Sequence, residues 1–314
     1  MVGERAFEPA YLALHRSGQL QKRVKAAYEH VGACELCGRA CGVDRGVEMG
    51  ACNTGLGARV ASYGPHLGEE DPLRGYQGSG TIFFSWCNLS CQYCQNADIS
   101  QRGHGRDVEP EDLAHMMMSL QERGCHNINL VSPTHVVAPI LAAILIGAEA
   151  GLRLPVVWNT GGYDSLVALE LLEGVVDIYM PDMKYADADV GRRYSKVENY
   201  PQVNQTAVTE MHRQVGDLVM DERGIAQRGL LVRHLVLPKG LAGTAEIAAF
   251  LAKEVSADTY INIMDQYRPC YRAGRLPPLD RRTTGEEYRE AVQQARDAGL
   301  HRFDQRKPRF LHRL

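Results

Sequence analysis

The sequence predicts an α/β fold in which six βα units form a mainly parallel sheet, preceded by a small cysteine-rich module. From residue 79 onward, short apolar runs alternate with longer stretches of helical periodicity. The apolar runs are hydrophobic almost throughout, as is typical of parallel strands that are covered on both faces. This pattern fits a doubly wound sheet or a partial barrel. In both folds the functional loops follow the carboxyl ends of the strands.

The predicted strands and helices alternate along the chain. One helix is expected to begin at Pro110, which suits a first helical turn, and to end near Gly124, which suits a C-terminal cap. A longer helical stretch is interrupted near Pro201. Predicted strands cover residues 81–86, 127–131, 154–158, 175–180, 230–237 and 259–264, and predicted helices cover residues 110–124, 136–150, 163–173, 187–219 and 244–254.

Segments of different composition flank the repeated units. The first of them shows amphipathic helical spacing, and the one before the sheet is rich in glycine and proline. We expect five segments: a helical segment over residues 1–30, a four-cysteine module over 31–56, a connecting loop over 57–78, the sheet domain over 79–268, and a C-terminal segment over 269–314 with a helix at 286–298.

Composition and charge exclude several classes of protein. Hydrophobic residues make up 45% and charged residues 23% of the 314 positions, which is ordinary for a globular protein. The 35 Lys and Arg nearly balance the 38 Asp and Glu, so no basic field indicates a nucleic-acid partner or an anionic membrane. The longest apolar run contains Pro139 and is shorter than the ~20 residues of a membrane span. We expect a cytoplasmic protein.

Three cysteines follow the first strand of the repeated units. Cys87, Cys91 and Cys94 have the spacing Cys-x3-Cys-x2-Cys. Three thiolates on one loop can hold three irons of a [4Fe-4S] cluster and leave the fourth iron open to a ligand. The alternatives are a zinc site, which usually takes four ligands in paired spacing, or three ordinary buried thiols. An open iron indicates chemistry at the cluster.

Four further cysteines lie within nineteen residues of one another near the N-terminus. Four soft ligands suit tetrahedral zinc or a second, closed iron–sulfur cluster. Both alternatives stay open, and so does a third, in which the four thiols bind no metal. The odd total of nine cysteines, with no secretory signal, argues against a disulfide framework. Cys125 and Cys270 are expected to be ordinary buried thiols. The four candidate ligands are Cys34, Cys37, Cys41 and Cys52.

Charged residues at the ends of later strands are candidates for binding a ligand. Lys184 follows the fourth strand and could pair with a ligand carboxylate, whereas the alternative is a surface pair with Asp182. Arg233 lies inside an apolar strand, where a charge is costly unless it is paired. We expect Arg233 to point into the site, with a structural salt bridge as the alternative. Strand alternation predicts that His234 faces the opposite side.

The cysteine loop resembles the signature of the radical S-adenosylmethionine (SAM) superfamily, in which an aromatic residue precedes the last cysteine, as Tyr93 does here. The resemblance covers roughly residues 79–268 and is closest to the branch of pyruvate formate-lyase activating enzyme. Over a wider run the chain looks like an uncharacterised iron–sulfur subgroup of that branch, in which N-terminal cysteines precede the barrel. The segments that carry the resemblance are 80–84, 94–96, 132–135, 159–163, 182–184 and 233–238.

The resemblance implies a partial (β/α)6 barrel and a catalytic [4Fe-4S] cluster on Cys87, Cys91 and Cys94. The methionyl group of SAM would chelate the open iron, and reductive cleavage of SAM would yield a 5′-deoxyadenosyl radical that abstracts hydrogen from a substrate. The implied cofactor-binding residues are Tyr93, Ser132, Thr134, Asn159, Thr160, Asp182, Lys184, Arg233 and Met264.

The resemblance also implies a role for most of these residues. Ser132 and Thr134 would lie near the methionyl amino group, and Lys184 would pair with the methionyl carboxylate. Thr160 and Asp182 could hold a monovalent cation. Among the others, Arg233 would bind the carboxylate or ribose, and Met264 would contact adenine or substrate.

The substrate and partners follow from the resemblance alone. The first expectation is a backbone glycine of a partner protein, a glycyl radical protein, and the alternative is a small metabolite or a peptide. An electron donor such as flavodoxin or ferredoxin is implied. Two non-enzymatic alternatives are an iron–sulfur protein for electron transfer or redox sensing, and a zinc-stabilised interaction module over residues 34–52.

Overall fold

A computed structural model describes residues 7–305 of the chain. One sheet dominates the fold, and the parallel strands at its centre are the six that the sequence predicts. The strands in the described part of the chain are β1 (Ala58–His66), β2 (Ser79–Phe84), β3 (Arg106–Val108), β4 (Ile128–Val131), β5 (Val156–Thr160), β6 (Ile178–Pro181), β7 (Val219–Met220), β8 (Ala226–Leu235), β9 (Tyr260–Met264) and β10 (Arg302–Phe303).

The strand order is β10-β9-β8-β6-β5-β4-β2-β1-β3, and β7 pairs with β8. The strands β2, β4, β5, β6, β8 and β9 are parallel to their neighbours in this set, whereas β1 is antiparallel to both β2 and β3. The sheet does not close on itself, because β2 and β9 each pair with an outer strand instead of with each other. The predicted fold class is therefore confirmed: an α/β fold whose open parallel sheet corresponds to a partial barrel.

Helices connect the parallel strands. Pro110 begins one helix, and a capping box between Glu109 and Asp112 closes its N-terminus. The long helical stretch divides before Pro201, which lies in the first turn of its second half. The described helices are α1 (Tyr11–Arg16), α2 (Gln19–Glu29), α3 (Asp71–Arg74), α4 (Ala97–Ser100), α5 (Pro110–Glu122), α6 (Val137–Glu149), α7 (Leu166–Leu172), α8 (Ala188–Ser195), α9 (Tyr200–Val215), α10 (Thr244–Phe250) and α11 (Gly285–Asp297).

The prediction that residues 57–78 form only a connecting loop is wrong. This segment contains the nine-residue strand β1 and the short helix α3. Glycine and proline obscured the strand in the sequence. Pro65 is tolerated because β3 pairs only with residues 58–60 of β1, so the backbone of β1 at Pro65 has no neighbour on that side.

Helix α3 closes one end of the barrel interior. Leu73 is fully buried in an apolar cluster with Val157, Ile178 and Met180. Val157 and Ile178 lie early in their strands, so the opposite end of the interior, at the carboxyl ends of the strands, stays available to polar side chains.

The flanking segments agree with the sequence in part. α1 and α2 form the N-terminal helical segment, and α11 matches the predicted C-terminal helix closely. The first six and last nine residues of these two segments lie outside the described residues. Cys125 is buried as expected, whereas Cys270 is half-buried. Among residues 7–305, no helix combines the length and the apolar character that crossing a membrane requires.

Candidate functional site

The cysteine loop follows β2 and is tied to a neighbouring helix. Trp86, just after the strand, has a positive φ of 68°, which turns the chain out of the sheet. The N–H of Ser90 then donates to the carbonyl of Ser195 at 3.0 Å, and the N–H of Gln92 donates to the carbonyl of Tyr194 at 2.7 Å. The loop therefore lies against the C-terminal end of α8 in a defined position.

Each thiol of the loop has a polar group beside it. The Sγ of Cys91 lies 3.0 Å from the Ser195 hydroxyl, and the Sγ of Cys94 lies 3.1 Å from the Ser100 hydroxyl. The backbone N–H of Leu89 donates to the Sγ of Cys87 at 3.4 Å. Burial raises the pKa of Cys87 to about 12.

These contacts bear on whether the loop suits a cluster. Three soft thiol ligands on one loop, each with a neighbouring hydrogen-bond donor, match the donor set of an iron–sulfur cluster. Since burial disfavours a free thiolate at Cys87, a positively charged metal group is what would stabilise the deprotonated ligand.

The cysteine loop forms one wall of two adjoining cavities, with volumes of about 410 and about 200 Å³. Cys91 and Cys94 line both of them, and Cys87 lines the larger one. Of the predicted cofactor-binding residues, Ser132, Asn159 and Thr160 line the larger cavity, Tyr93 and Met264 line the smaller one, and Asp182, Lys184 and Arg233 line both.

A charged trio lies across the cavities from the thiols. The Nζ of Lys184 is 2.6 Å from one oxygen of Asp182, and the Nε of Arg233 is 2.8 Å from the other. The Nη2 of Arg233 also donates to the Oδ1 of Asn159 at 2.7 Å. The three charged side chains are only 17–18% exposed, so the pair of Lys184 with Asp182 is a partly buried contact in the cavity wall and not an open surface pair.

The trio keeps its charges despite burial. Burial alone would raise the pKa of Asp182, but Arg233 and Lys184 lower it below its ordinary value. In the same way, burial opposes the charge on Lys184, but Asp182 raises the pKa of this amine above its usual range. Arg233 thus lines both cavities and at the same time forms the salt bridge that was the alternative, while its role in binding a ligand stays a prediction.

Thr134 is not brought to either cavity. Its hydroxyl donates to the Oδ1 of Asp164 at 2.8 Å, and the hydroxyl of Thr160 donates to the Oδ2 of Asp164 at 2.6 Å. Asp164 is buried and also accepts the indole N–H of Trp158 at 3.0 Å. The chain turns at Ser132, which has a φ of 57°, and Thr134 lies outside the cavity. Thr134 and Thr160 are bonded to the same carboxylate, so Thr134 helps to hold Thr160 in place.

Both groups of the expected cation site already have partners. Each carboxylate oxygen of Asp182 contacts a cationic side chain, and the Thr160 hydroxyl is bonded to Asp164. A monovalent cation at Asp182 would have to share these oxygens with Lys184 and Arg233, and it stays a proposal.

Two buried histidines near these residues, His135 and His234, line neither of the two cavities. The Nε2 of His135 is 2.9 Å from the carbonyl oxygen of Ser85, and burial lowers the pKa of this imidazole to about 4. His234 is fully buried between the carbonyl of Met183, at 2.7 Å, and the hydroxyl of Thr244, at 2.9 Å. The prediction that His234 faces away from Arg233 is confirmed.

Sequence reasoning missed an acidic pair between β1 and α3. Glu69 lines the larger cavity, and its carboxylate lies 3.0 Å from the Nδ1 of His66. Glu70 is buried and accepts the amide N–H of Asn262 at 2.9 Å. Burial raises the pKa of Glu70 to about 7, with Glu69 adding to the shift and Arg233 opposing it. Two adjacent carboxylates in a supposed loop were the only signal for this pair.

The four N-terminal cysteines converge, as their spacing predicts. All four line one small cavity whose other walls include Arg45, Thr134 and His135. The N–H of Cys34 donates to the carbonyl of Val43, and the N–H of Gly42 donates back to Cys34, both at 2.9 Å. The module therefore packs on the loop after β4, directly behind the larger cavity.

The thiols of the module differ in their surroundings: burial raises the pKa of Cys37 to about 12, whereas backbone N–H groups surround Cys41. Burial alone would raise the pKa of Cys41, but the backbone N–H groups of Ala51 and Val43 lower it. The guanidinium of Arg45, itself buried, lies 3.9 Å from the Sγ of Cys34. Such donors around sulfur are typical of metal-bound cysteine.

Comparisons with known proteins agree with this arrangement. The sequence pattern of the radical SAM superfamily matches residues 81–216. Over 291 residues the chain is 33% identical to the uncharacterised protein MJ0674 of Methanocaldococcus jannaschii, a match that covers 90% of this chain and 79% of that protein. Residues 81–216 therefore match the radical SAM superfamily, whose members are enzymes that use a [4Fe-4S] cluster and SAM.

Solved structures with a similar arrangement include SuiB of Streptococcus suis. Its crystal structure bound to precursor peptide SuiA aligns with a TM-score of 0.45 and 12% identity, and its structure bound to S-adenosylmethionine aligns with a TM-score of 0.45 and 10% identity. The alignments cover 69% and 68% of this chain but only 46% and 45% of SuiB, so the chain spans less than half the length of that protein.

Proposed function

We propose that this chain binds a [4Fe-4S] cluster at Cys87, Cys91 and Cys94 and cleaves SAM reductively to start hydrogen abstraction from a substrate. The observation that carries the proposal is that the three thiols and the trio of Asp182, Lys184 and Arg233 line one pair of adjoining cavities. Sulfur ligands for iron and cations for a carboxylate thus face the same space.

The charged trio would position the methionyl end of SAM. Lys184 and Arg233 carry two positive charges beside the negative charge of Asp182, and Glu69 in the same cavity is paired with His66, so a ligand carboxylate can bind at the two cations. Asp182 and Asn159 hold the guanidinium in place before a ligand arrives, which lowers the entropic cost of binding. When bound, the cluster supplies the electron that breaks a C–S bond of the sulfonium and so yields the 5′-deoxyadenosyl radical.

The smaller cavity would hold the other end of SAM. Tyr93, Leu235 and Met264 give it apolar walls, and Gln266 adds a polar group. Apolar walls beside a few polar groups suit a nucleoside, and they also exclude water from the place where a radical must survive.

Replacement of one cluster ligand tests the proposal. We expect Cys91→Ala to abolish formation of 5′-deoxyadenosine from SAM under reducing conditions. Cys125→Ala, which removes a buried thiol outside the motif, is the matched control and should retain activity. Full cleavage of SAM by the Cys91→Ala variant would contradict the proposal.

For the substrate, we propose a backbone glycine of a partner protein, with a small metabolite or a peptide as the second candidate. The support is the resemblance to the activating-enzyme branch, carried by the segments that supply Asn159, Asp182 and Lys184. A glycyl-radical EPR signal after incubation with a candidate partner would support the first candidate. Turnover of a metabolite without this signal would support the second.

The remaining cofactors and partners belong to the same proposal. The four N-terminal thiols would hold zinc or a second cluster, supported by their convergence on one cavity and by the N–H groups around Cys41. A monovalent cation near Asp182, a cytoplasmic location, and an electron donor such as flavodoxin or ferredoxin are proposed on the resemblance and the composition alone.

A further inference from the structure

Three buried hydroxyl groups form a continuous chain that ends at the sulfur of Cys91. The hydroxyl oxygens of Tyr93 and Tyr185 are 2.7 Å apart, and that of Tyr185 is 2.8 Å from the Oγ of Ser195. The Ser195 oxygen is in turn 3.0 Å from the Sγ of Cys91. The four side chains are at most 8% exposed, so bulk water does not compete for these hydrogen bonds.

The chemistry of the last group decides the direction of this chain. A cysteine that ligates iron is a thiolate, which accepts hydrogen bonds and has no proton to donate. Ser195 must therefore donate to Cys91, so its oxygen is left to accept from Tyr185. In this structure Tyr185 donates to Tyr93, but with Cys91 as a thiolate the Tyr185 hydroxyl must turn its proton to Ser195 and accept from Tyr93 instead, so that all three O–H groups point towards the sulfur.

A second observation shows that the chain connects two parts of the site. Tyr93 lines the smaller cavity, whereas Ser195 is fully buried at the end of α8, behind the cysteine loop. Aromatic packing holds the two tyrosine hydroxyls in place, since the ring of Tyr93 packs edge-on against the rings of Tyr185 and Tyr267. The oxygen of Tyr93 can accept a further hydrogen bond from the cavity.

We propose that Tyr93, Tyr185 and Ser195 form a hydrogen-bond relay that raises the reduction potential of the cluster held by Cys91. Hydrogen bonds to the sulfurs are among the determinants of cluster potential, because they stabilise the more electron-rich reduced state. Aligned hydroxyls polarise one another, so the donor next to the sulfur becomes stronger than an isolated serine. The three residues are positioning residues that act through Cys91.

This inference rests on the proposed function, because the relay needs a cluster to act on.

A redox titration tests the relay. Reconstituted wild-type protein and the variants Ser195→Ala and Tyr185→Phe are titrated anaerobically with redox mediators. Iron and sulfide are counted, and the midpoint potential is read from visible absorbance and EPR. The matched control is Tyr194→Phe, whose hydroxyl lies next to Ser195 in sequence but contacts the carbonyl of Pro277 at 3.4 Å.

We expect a more negative potential in Ser195→Ala, a smaller shift in Tyr185→Phe, and the wild-type potential in Tyr194→Phe. Equal potentials in all four proteins at equal iron content would overturn the relay and leave the proposed function intact. If Ser195→Ala takes up no iron, Tyr185→Phe decides by the same criterion, since it retains the serine. A wild-type protein that takes up no iron would overturn both the relay and the proposed function.

Discussion

The Nε of Arg233 lies 2.8 Å from the Oδ1 of Asp182, although 51 positions separate the two residues. Asp182 follows β6, and Arg233 is in β8, the neighbouring parallel strand. Because the same guanidinium also donates to Asn159 at the end of β5, one side chain joins three successive strands at the edge of the cavity. The bond therefore holds the carboxyl ends of these strands together and also fixes a cation in the site.

Replacement of Arg233 should lower the rate of SAM cleavage more than it lowers the stability of the fold. Lys cannot span both Asp182 and Asn159, so Arg233→Lys loses a charge-assisted hydrogen bond worth about 1.5–3 kcal/mol. We expect formation of 5′-deoxyadenosine to fall about 10- to 100-fold, as measured by chromatography. Arg228→Lys is the control on the same strand, because Arg228 is exposed and its guanidinium donates to the backbone carbonyl of Gln214, away from both cavities. Equal activity of the two variants would show that Arg233 has no part in the site.

The backbone at Gly162 should tolerate no side chain. A Cβ there would collide with the amide of Asn204 and with the carbonyl oxygen of Asp182. Gly216 has nearly the same φ, 71° against 72°, but open space around it. Gly162→Ala should therefore lower the free energy of unfolding by about 1–3 kcal/mol more than Gly216→Ala, measured by urea denaturation. Equal losses of unfolding free energy in the two variants would mean that the backbone angle, and not the collision, sets the cost at Gly162.

Glu70 should make stability depend on pH. Its pKa is raised from 4.5 to about 7 in the folded protein, so the folded state holds a proton that the unfolded state has lost. Stability then decreases as pH rises through this window, by up to about 3 kcal/mol. Charged or titratable neighbours of Glu70 include Glu69, Arg233, His66 and Tyr260.

Glu70→Gln should remove this dependence. Its free energy of unfolding relative to wild type should be higher at pH 8 than at pH 5, as measured by urea denaturation at both values. Glu122→Gln, at an exposed position late in α5, controls for the loss of one carboxylate. A relative stability of Glu70→Gln that does not change between the two pH values would contradict the assignment.

The N-terminal cysteine module should bind metal independently of the barrel. We expect Cys41→Ser to lose either one zinc or about four irons per chain, measured by elemental analysis, and to melt at a lower temperature because the metal ties the module together. Cys125→Ser is the control. A metal content equal to wild type in Cys41→Ser would show that these thiols are not ligands.

The sequence predicts the parts of the site that depend on local patterns. Apolar runs located all six parallel strands, and cysteine spacing located the loop at Cys87. The position of Arg233 followed from the cost of a charge in an apolar strand. Each inference needed only neighbours along the chain, which is why each agrees with the structure.

Features that depend on contacts between distant parts of the chain were not predicted from the sequence. Strand β1 was hidden because Gly64 and Pro65 are typical of loops, and its pairing with β2 and β3 makes it a strand. Glu69 and Glu70 reach the barrel interior only because β1 carries the chain there. Ser195 contacts Cys91 across 104 positions, a distance in sequence that no spacing rule spans.

The most direct test of the account is anaerobic reconstitution of the wild-type protein with iron and sulfide, followed by dithionite and SAM. We expect 5′-deoxyadenosine to form and the EPR spectrum of the reduced cluster to change when SAM is added. About four irons per chain would leave zinc for the N-terminal module, and about eight would indicate two clusters. Iron uptake with neither nucleoside nor a spectral change would contradict a radical SAM site at Cys87, Cys91 and Cys94 and would favour an electron-transfer protein.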